Sequence, residues 1–183
     1  MGKFKFIPTG IEGLTIIEPT VFGDNRGYFM ETYQYEEFAA AGIGVTFVQD
    51  NQSKSVKGVL RGLHYQVTKP QGKLVRVISG VVYDVAVDIR KGSATYGKWF
   101  GVTLTEENKR QIYVPEGFAH GFLVVSETAE FVYKCTRLYD PSDESGLLWN
   151  DPIIDINWPL NGIKPILSEK DKRNPRLNDK MYN

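Results

Sequence analysis

The chain has 183 residues, and its 22 basic and 22 acidic side chains give a formal net charge of zero at pH 7. A balanced charge argues against a nucleic-acid partner and against electrostatic attachment to a membrane. Hydrophobic residues make up 42% and charged residues 24%, which is typical of one globular domain, here residues 1–183. The N-terminus lacks an apolar signal core, no run is long enough to cross a bilayer, and Cys135 has no disulfide partner. We therefore expect a cytoplasmic protein.

The first predicted element is a short helix over Tyr35–Ala41, ended by Gly42. Short runs rich in Val, Tyr, Phe and Ile follow it, bounded by Gly, Pro, Ser or Asn, and these predict strands. The predicted strands are Leu74–Ile78, Val81–Ile89, Trp99–Leu104, Gln111–Val114, Gly121–Val125 and Glu130–Arg137. This spacing predicts an all-β sandwich or barrel. The segment after Pro152 is predicted to wrap the surface, with one helical turn near Ser168.

Alternation along the predicted strand Val81–Ile89 places Asp84 and Asp88 on a face shared with Val82 and Ala86. Both faces of this strand are too apolar for full exposure to water. Asp84 therefore either faces the interior of the barrel or lies at the rim of the strand.

The most informative motif is Arg61-Gly62-Leu63-His64-Tyr65-Gln66, which holds one of only two histidines. A neutral imidazole is the commonest general base near pH 7, and an arginine is well suited to binding a phosphate. The pair predicts proton chemistry on a phosphate-bearing substrate. Strict alternation would send Arg61 and His64 to opposite faces, so both reach one ligand only if a bulge or bend lies near Gly62.

Other chemistries fit the sequence poorly. A catalytic metal centre usually needs three protein ligands, and small metal-binding β-barrels commonly supply two of them from a His-x-His pair on one strand. Here Gln66 takes the place of the second histidine after His64, so no metal is predicted. Gly72-Lys73 lacks the rest of a phosphate-binding loop, and no Gly-x-Gly-x-x-Gly motif predicts a nicotinamide cofactor. Cys135 lies within a predicted strand and is expected to be a core residue rather than a nucleophile.

Acid–base chemistry without a cofactor remains. His64 is the candidate base, Asp171 a candidate carboxylate partner for its imidazole, and Tyr133 a candidate acid. Lys73 is a candidate for stabilising an enolate. An isolated histidine is often structural, and Tyr133 shares its strand face with Phe131 and Cys135, so the residues alone leave these roles open.

Several motifs, in order along nearly the whole chain, resemble the dTDP-4-dehydrorhamnose 3,5-epimerase family. They are Asp24-Asn25-Arg26-Gly27-Tyr28-Phe29-Met30-Glu31, Phe47-Val48-Gln49-Asp50-Asn51, the Arg61–Gln66 motif, Pro70-Gln71-Gly72-Lys73-Leu74-Val75-Arg76-Val77, Pro115-Glu116-Gly117-Phe118-Ala119-His120-Gly121-Phe122, Tyr133-Lys134-Cys135-Thr136 and Ser168-Glu169-Lys170-Asp171. The resemblance implies a cupin-type jelly roll with a few short helices that uses no metal or cofactor. It also implies a homodimer, with strands exchanged between subunits, that binds a dTDP-sugar.

The family's reaction inverts C3 and C5 of dTDP-4-keto-6-deoxy-D-glucose to give dTDP-4-keto-L-rhamnose, on the way to dTDP-L-rhamnose for cell-wall polysaccharide. By resemblance, His64 is the base and Asp171 orients it. Tyr133 is the acid on the opposite face of the sugar, and Lys73 lies near the C4 oxygen.

The resemblance also implies a set of substrate contacts. Arg26 and Arg61 would meet the diphosphate, Phe29 and Tyr139 would offer stacking surfaces, and Glu31 would reach the nucleoside across the dimer. The whole implied set is Arg26, Phe29, Glu31, Gln49, Asp50, Asn51, Arg61, Lys73, His120, Tyr139, Glu144 and Lys170.

Two alternatives stay open at this point. One is a related enzyme that inverts a single carbon or moves the keto group, although Tyr133 favours inversion. The other is a non-catalytic β-barrel that binds sugars or nucleotides, which would not need His64, Asp171 and Tyr133 together.

Overall fold

The computed structural model describes residues 2–178. Within them lie thirteen strands, one α-helix and one 3-10 turn, with few residues in helical conformation. The strands are β1 (Phe4–Pro8), β2 (Thr15–Pro19), β3 (Val21–Asp24), β4 (Gly27–Met30), β5 (Gln49–Val56), β6 (Leu60–Gln66), β7 (Lys73–Ser79), β8 (Val81–Asp88), β9 (Trp99–Thr105), β10 (Gln111–Val114), β11 (Phe118–Val124), β12 (Thr128–Cys135) and β13 (Glu144–Gly146). The helix α1 spans Tyr35–Ala40, and the 3-10 turn spans Asp171–Arg173.

The strands form two large antiparallel sheets and one hairpin. The six-stranded sheet has the order β1-β2-β10-β7-β12-β5, the five-stranded sheet has the order β13-β6-β11-β8-β9, and β3 pairs with β4. Most neighbours within the large sheets are not consecutive in the chain, which is typical of a jelly roll built from Greek keys. The predicted all-β, cupin-type jelly roll is confirmed.

The main core lies between the two large sheets. Val75 and Phe131 from the six-stranded sheet pack against Val82 and Phe122 from the five-stranded sheet. The Phe122 and Phe131 rings are stacked with their centroids 4.1 Å apart. Asp84 lies fully buried on this inner face, so the interior alternative for Asp84 is correct and the rim alternative is wrong.

The outer face of the five-stranded sheet is covered by the C-terminal segment. Val85 and Val87 of β8 pack there against Ile154, Trp158 and Leu177. This confirms that the segment after Pro152 wraps the surface, and the single 3-10 turn lies three residues beyond the predicted position at Ser168.

Helix α1 covers part of the outer face of the six-stranded sheet. Its buried Phe38 packs against Phe4 and Ile17. The side chain of Gln34 caps the helix by accepting a hydrogen bond from the Glu37 amide at 2.7 Å. Gly42 has a φ of +90°, as a helix-ending glycine commonly does. The predicted helix is therefore confirmed to within one residue.

The six strands predicted in the middle of the chain are all present; β10 matches its predicted bounds, and the other five have at least one shifted end. The largest shift is in β11, which begins at Phe118 rather than Gly121 because Phe118 pairs with Asp88 of β8. The pattern missed β1, β2, the β3–β4 hairpin, β5 and β13. β5 reads Gln-Asp-Asn-Gln-Ser-Lys-Ser-Val, and its partly buried face is polar, so hydrophobic alternation could not reveal it.

The expected irregularity near Gly62 is a bulge. His120 of β11 pairs with His64, whereas Phe122 pairs with Arg61, so β6 accommodates one extra residue between these pairs. Gly62 has a φ of +125°, and a Cβ there would lie 2.6 Å from the Gly121 Cα. The prediction of a bulge is confirmed.

Replacing Leu104, which is 0% exposed within the main core, with alanine should lower the free energy of unfolding by about 2–5 kcal/mol. Ile153 is 53% exposed, and Ile153→Ala serves as the control with an expected loss of about 0.5 kcal/mol or less. Urea denaturation followed by tryptophan fluorescence measures both. Equal losses would contradict the assignment of the core.

Candidate active site

A cavity opens between the two large sheets beside β6. Six of the predicted site residues line it: His64, Lys73, His120, Tyr133, Tyr139 and Glu144. His64 and His120 belong to the five-stranded sheet, whereas Lys73 and Tyr133 belong to the six-stranded sheet. The cavity is therefore lined by polar side chains from both sheets.

His64 forms a close pair with Asp171. Its Nε2 lies 2.5 Å from Asp171 Oδ1, and the Asp171 side chain is almost fully buried at the start of the 3-10 turn. Burial would raise the pKa of Asp171, but hydrogen bonds from His64, the Ser168 hydroxyl and the Gly62 amide outweigh burial and hold that pKa below its ordinary value. The ionised carboxylate accepts a hydrogen bond from His64 Nε2, which leaves the lone pair of the neutral imidazole on Nδ1.

Tyr133 and Lys73 lie on neighbouring strands, with Lys73 Nζ 5.9 Å from the centroid of the Tyr133 ring. Burial lowers the pKa of Lys73 and raises the pKa of Tyr133. The raised pKa keeps the Tyr133 phenol protonated. Among residues 2–178, no hydrogen bond or ion pair engages Lys73 Nζ, so this nitrogen is available to an incoming oxygen.

His120 also binds a carboxylate. Its Nε2 lies 2.9 Å from Asp84 Oδ2, and both side chains are buried. Because Asp84 faces inward on β8, its carboxylate orients the imidazole of His120, the second histidine of the cavity.

Glu144 links two other predicted contacts. Its Oε2 accepts a hydrogen bond from the Tyr139 hydroxyl at 2.6 Å and forms an ion pair with Lys170. Glu144 Oε1 lies 3.9 Å from His64 Nδ1. The hydrogen bond to Glu144, together with burial, raises the pKa of Tyr139 to about 12.

Arg61 lies beside His64 in a groove that continues the cavity and is also lined by Lys170 and Asp171. The bulge at Gly62 therefore brings Arg61 and His64 to one groove, as the motif requires. Arg61 Nε and Nη2 lie 3.4 and 3.2 Å from the Ser55 hydroxyl oxygen.

The three consecutive residues at the start of β5 divide between two faces. Gln49 accepts a hydrogen bond from the Tyr139 amide at 2.8 Å and donates one to Asn51 Oδ1 at 3.0 Å. Asn51 in turn contacts the buried Cys135 sulfur, and Cys135 is confirmed as a core residue. Asp50 alternates to the outer face, where it pairs with Lys134, and it does not line the His64 cavity.

Arg26, Phe29 and Glu31 lie on or beside the β3–β4 hairpin, outside the cavity of their own chain. Arg26 pairs with Asp24 at 2.5 Å, and Glu31 pairs with Lys3. Phe29 is 64% exposed. The structure of one chain therefore brings together most of the predicted site, but these three residues and Asp50 do not lie at the His64 cavity.

Sequence reasoning assigned no role to three polar residues of the site. Ser55 contacts Arg61, and Ser168 contacts Asp171. Gln66 was named only as the end of the Arg61–Gln66 motif and as the occupant of a position that a metal site would give to histidine, yet its side chain lines the cavity. No local pattern distinguishes these polar residues, because their partners are distant in the chain.

Within residues 2–178, no group of three or more His, Cys, Asp or Glu side chains is arranged to hold a metal ion. In the same residues, no helix is both long enough and apolar enough to cross a bilayer.

Comparison with known proteins identifies relatives across almost the whole chain. A sequence model of the family described as dTDP-4-dehydrorhamnose 3,5-epimerase matches residues 8–179. The enzyme of that name from Methanothermobacter thermautotrophicus is 57% identical over 173 residues, which cover 94% of each chain. The one from Shigella flexneri is 56% identical over 178 residues, covering 96% of this chain and 97% of the relative.

Solved structures agree with the sequence relatives. The dTDP-6-deoxy-D-glucose-3,5-epimerase from Legionella pneumophila, in complex with dTDP-4-keto-L-rhamnose, superimposes with a TM-score of 0.93 at 53% identity. The match covers 96% of this chain and 93% of that one.

The low pKa of Asp171 predicts an acid-dependent loss of stability. A carboxyl group whose pKa is lowered by folding stabilises the protein above its unfolded pKa, ordinarily 3.8, and this contribution is lost as the pH falls through the folded pKa. Asp171→Asn should therefore be less stable than the wild type at neutral pH, and the difference should shrink below about pH 4.

Urea titrations of both proteins from pH 3 to 7 measure this difference. Asp155→Asn, at an exposed aspartate, is the control and should follow the wild type. A gap between the wild type and Asp171→Asn that stays constant with pH would show that the Asp171 carboxylate is not stabilised by the folded structure.

Proposed function

The chain belongs to the dTDP-4-dehydrorhamnose 3,5-epimerase family, and we propose that the His64 cavity is where it carries out the family's reaction. The reaction converts dTDP-4-keto-6-deoxy-D-glucose to dTDP-4-keto-L-rhamnose by inverting C3 and C5. One observation is the main support for assigning the reaction to this cavity. The carboxylate-bound His64 comes from one sheet, and the protonated Tyr133 comes from the other.

The first step is removal of a proton. Hydrogens on C3 and C5 are acidic because each carbon neighbours the C4 ketone. His64 Nδ1 takes the proton, and the C–H electron pair moves to form an enolate. The Asp171 carboxylate at Nε2 stabilises the imidazolium that results. A positioned base of this kind contributes about 100- to 10,000-fold to the rate.

Lys73 stabilises the enolate. Negative charge develops on the C4 oxygen, and the Lys73 ammonium has no competing partner among the described side chains. A cation held in a partly buried cavity interacts more strongly with a developing charge than it would in water. Electrostatic stabilisation at this oxygen lowers the barrier for both inversions.

Tyr133 completes the inversion by giving its phenolic proton to the opposite face of the enolate. Burial keeps this phenol protonated until the enolate forms. The phenolate then takes up a proton from water and the His64 imidazolium releases one to water, so both groups are restored before the second inversion. Each carbon loses one proton and gains one, with no net oxidation or reduction. Residues of the chain therefore suffice for the chemistry, and we propose that no cofactor takes part.

The remaining contacts are proposed to hold the nucleotide and the sugar. Arg61, supported by Ser55, binds the diphosphate at the groove beside His64. His120 and Lys170 bind the sugar end, and Tyr139 stacks on the nucleoside. Glu144, Gln49, Asn51 and Asp50 complete the proposed set, with Asp50 acting from the outer face. The family match over residues 8–179 supports a single epimerase domain.

We propose a homodimer in which the β3–β4 hairpin of one subunit reaches the cavity of the other. The hairpin exposes the large aromatic side chains Phe22, Tyr28 and Phe29, with Phe22 and Phe29 paired across its two strands, and such exposure is uncommon on a surface without a partner. It also carries Arg26, and Glu31 follows directly. An exchanged hairpin would bring these residues to the substrate.

Proton NMR of dTDP-4-keto-6-deoxy-D-glucose in D2O tests the reaction. The wild type should introduce deuterium at C3 and C5, and His64→Asn should lower both exchange rates by about 100- to 10,000-fold because the base is lost. Tyr133→Phe should still exchange protons but invert poorly.

Calorimetric titration with dTDP is the control, because His64→Asn should still bind the nucleotide. Deuterium at one carbon only would indicate an enzyme that inverts a single centre. Binding of dTDP without any exchange would overturn the assigned reaction and favour a binding protein.

Mixing two defective variants tests the shared site. Arg26→Ala and His64→Asn are each expected to be poorly active at low substrate concentration. If Arg26 acts across the dimer, mixing the two variants in mild denaturant should restore about a quarter of the wild-type activity. Half of the dimers formed are hybrids, and each hybrid has one intact site out of two.

Sedimentation velocity on the same samples measures the dimer. The matched negative control mixes His64→Asn with Tyr133→Phe. Both residues belong to the cavity of their own chain, so a hybrid dimer has no intact site, and the mixture should show no more activity than the two variants measured separately. A monomer, or no recovery with Arg26→Ala, would disprove the exchanged arrangement.

A further inference from the structure

Gln66 is a buried side chain that the proposed mechanism does not use. It lies two residues after His64 at the end of β6 and is only 5% exposed. Its Nε2 donates a hydrogen bond to the Lys69 carbonyl oxygen at 2.7 Å, and its Oε1 accepts one from the Asp140 amide at 2.7 Å. Both ends of the amide are therefore bonded to main chain.

These two bonds join the two loops at the mouth of the cavity. Residues 67–72 follow β6 and contribute Pro70 and Gln71 to the cavity wall, and residues 136–143 follow β12 and contribute Tyr139. Asp143 adds a second tie, because its carboxylate accepts hydrogen bonds from the Thr68 and Lys69 amides at 2.9 and 2.8 Å.

The bond to Asp140 bears directly on Tyr139. The Tyr139 amide is bound by Gln49 from the six-stranded sheet, and the next amide, that of Asp140, is bound by Gln66 from the five-stranded sheet. The Tyr139 hydroxyl is bound by Glu144, which is also the register partner of Gln66. The backbone on either side of the Tyr139 Cα is thus hydrogen-bonded to both sheets, and the Tyr139 hydroxyl is bound by β13, the strand beside Gln66.

We propose that Gln66 is a positioning residue that fixes Tyr139 in the orientation that receives the nucleotide. This inference rests on the proposed function, because it assumes that Tyr139 contacts the substrate. A glutamine suits the position because it offers one donor and one acceptor. An apolar residue would remove the hydrogen-bond partners of the Lys69 carbonyl and the Asp140 amide, and with them this tie between the two loops.

Two variants separate the roles of the amide. Gln66→Met keeps the volume and removes both hydrogen bonds, so the KM should rise by about tenfold while kcat stays within about threefold. Gln66→Glu keeps the acceptor for the Asp140 amide but directs a carboxylate oxygen at the Lys69 carbonyl, so its KM should lie between those of the wild type and Gln66→Met. Gln52→Met, at an exposed glutamine of β5, is the matched control and should leave both constants unchanged.

A double-mutant cycle with Tyr139→Ala tests whether Gln66 acts through Tyr139. The KM effect of Gln66→Met should disappear once Tyr139 is alanine. Hydrogen exchange should also show faster exchange of the Tyr139 and Asp140 amides in Gln66→Met, a readout that needs no substrate. An equal KM effect in both backgrounds, an unchanged KM, or a fall in kcat alone would overturn the proposal.

Failure of the proposed function is distinguishable from failure of this inference. If the wild type does not turn over the dTDP-sugar, the reaction is wrong, and calorimetric titration with dTDP on the same variants decides the role of Gln66. The positioning role would be supported if Gln66→Met bound dTDP with a Kd about tenfold higher than the wild type, and if Gln66→Met no longer changed the Kd once Tyr139 was alanine. An unchanged Kd would overturn it.

Discussion

The close approach of β6 and β11 at Gly62 is the constraint on which the site depends. A Cβ on Gly62 would meet the Gly121 Cα at 2.6 Å, and a Cβ on Gly121 would meet the Arg61 carbonyl oxygen at the same distance. Two glycines therefore permit the bulge that turns Arg61 toward the groove shared with His64. The same bulge leaves the Gly62 amide free to donate a hydrogen bond to Asp171, so one backbone irregularity orients both the phosphate-binding residue and the base.

Three buried carboxylates, two on the five-stranded sheet and one on the C-terminal segment that covers it, are each paired with a hydrogen-bond donor. Asp84 binds His120, Asp171 binds His64, and Asp88 binds Arg90 with support from nearby hydroxyls. Each would be costly to bury alone. Because hydrogen bonds hold the pKa values of Asp88 and Asp171 below their ordinary range, these carboxylates stay ionised, and they orient the Arg90 guanidinium and the His64 imidazole beside them.

The sequence revealed those parts of the fold whose pattern is local. Alternation narrowed Asp84 to the barrel interior or the strand rim, and the Arg61–His64 conflict predicted a bulge or bend near Gly62, because both arguments need only the period of a strand. β5 escaped detection because its partly buried face carries the polar residues Gln49, Asn51 and Ser53 rather than apolar ones. The supporting role of Gln66 could not be predicted, because its partners belong to loops whose positions depend on the packing of both sheets. The resemblance supplied a residue set, but only the coordinates show that Asp50 lies on the outer face.

The proposed base and acid lie on different sheets, which makes the core itself part of the proposed site. His64 stands on β6 and Tyr133 on β12, so the distance between them is set by how the sheets pack rather than by either strand. The packing is fixed close by, where Phe122 of one sheet stacks on Phe131 of the other at 4.1 Å. The Phe131 ring also lies 5.9 Å from the Tyr133 ring. Since protein interiors are close-packed and do not deform continuously, this aromatic stack maintains the separation that inversion requires, with a proton leaving one face of the sugar and arriving at the other.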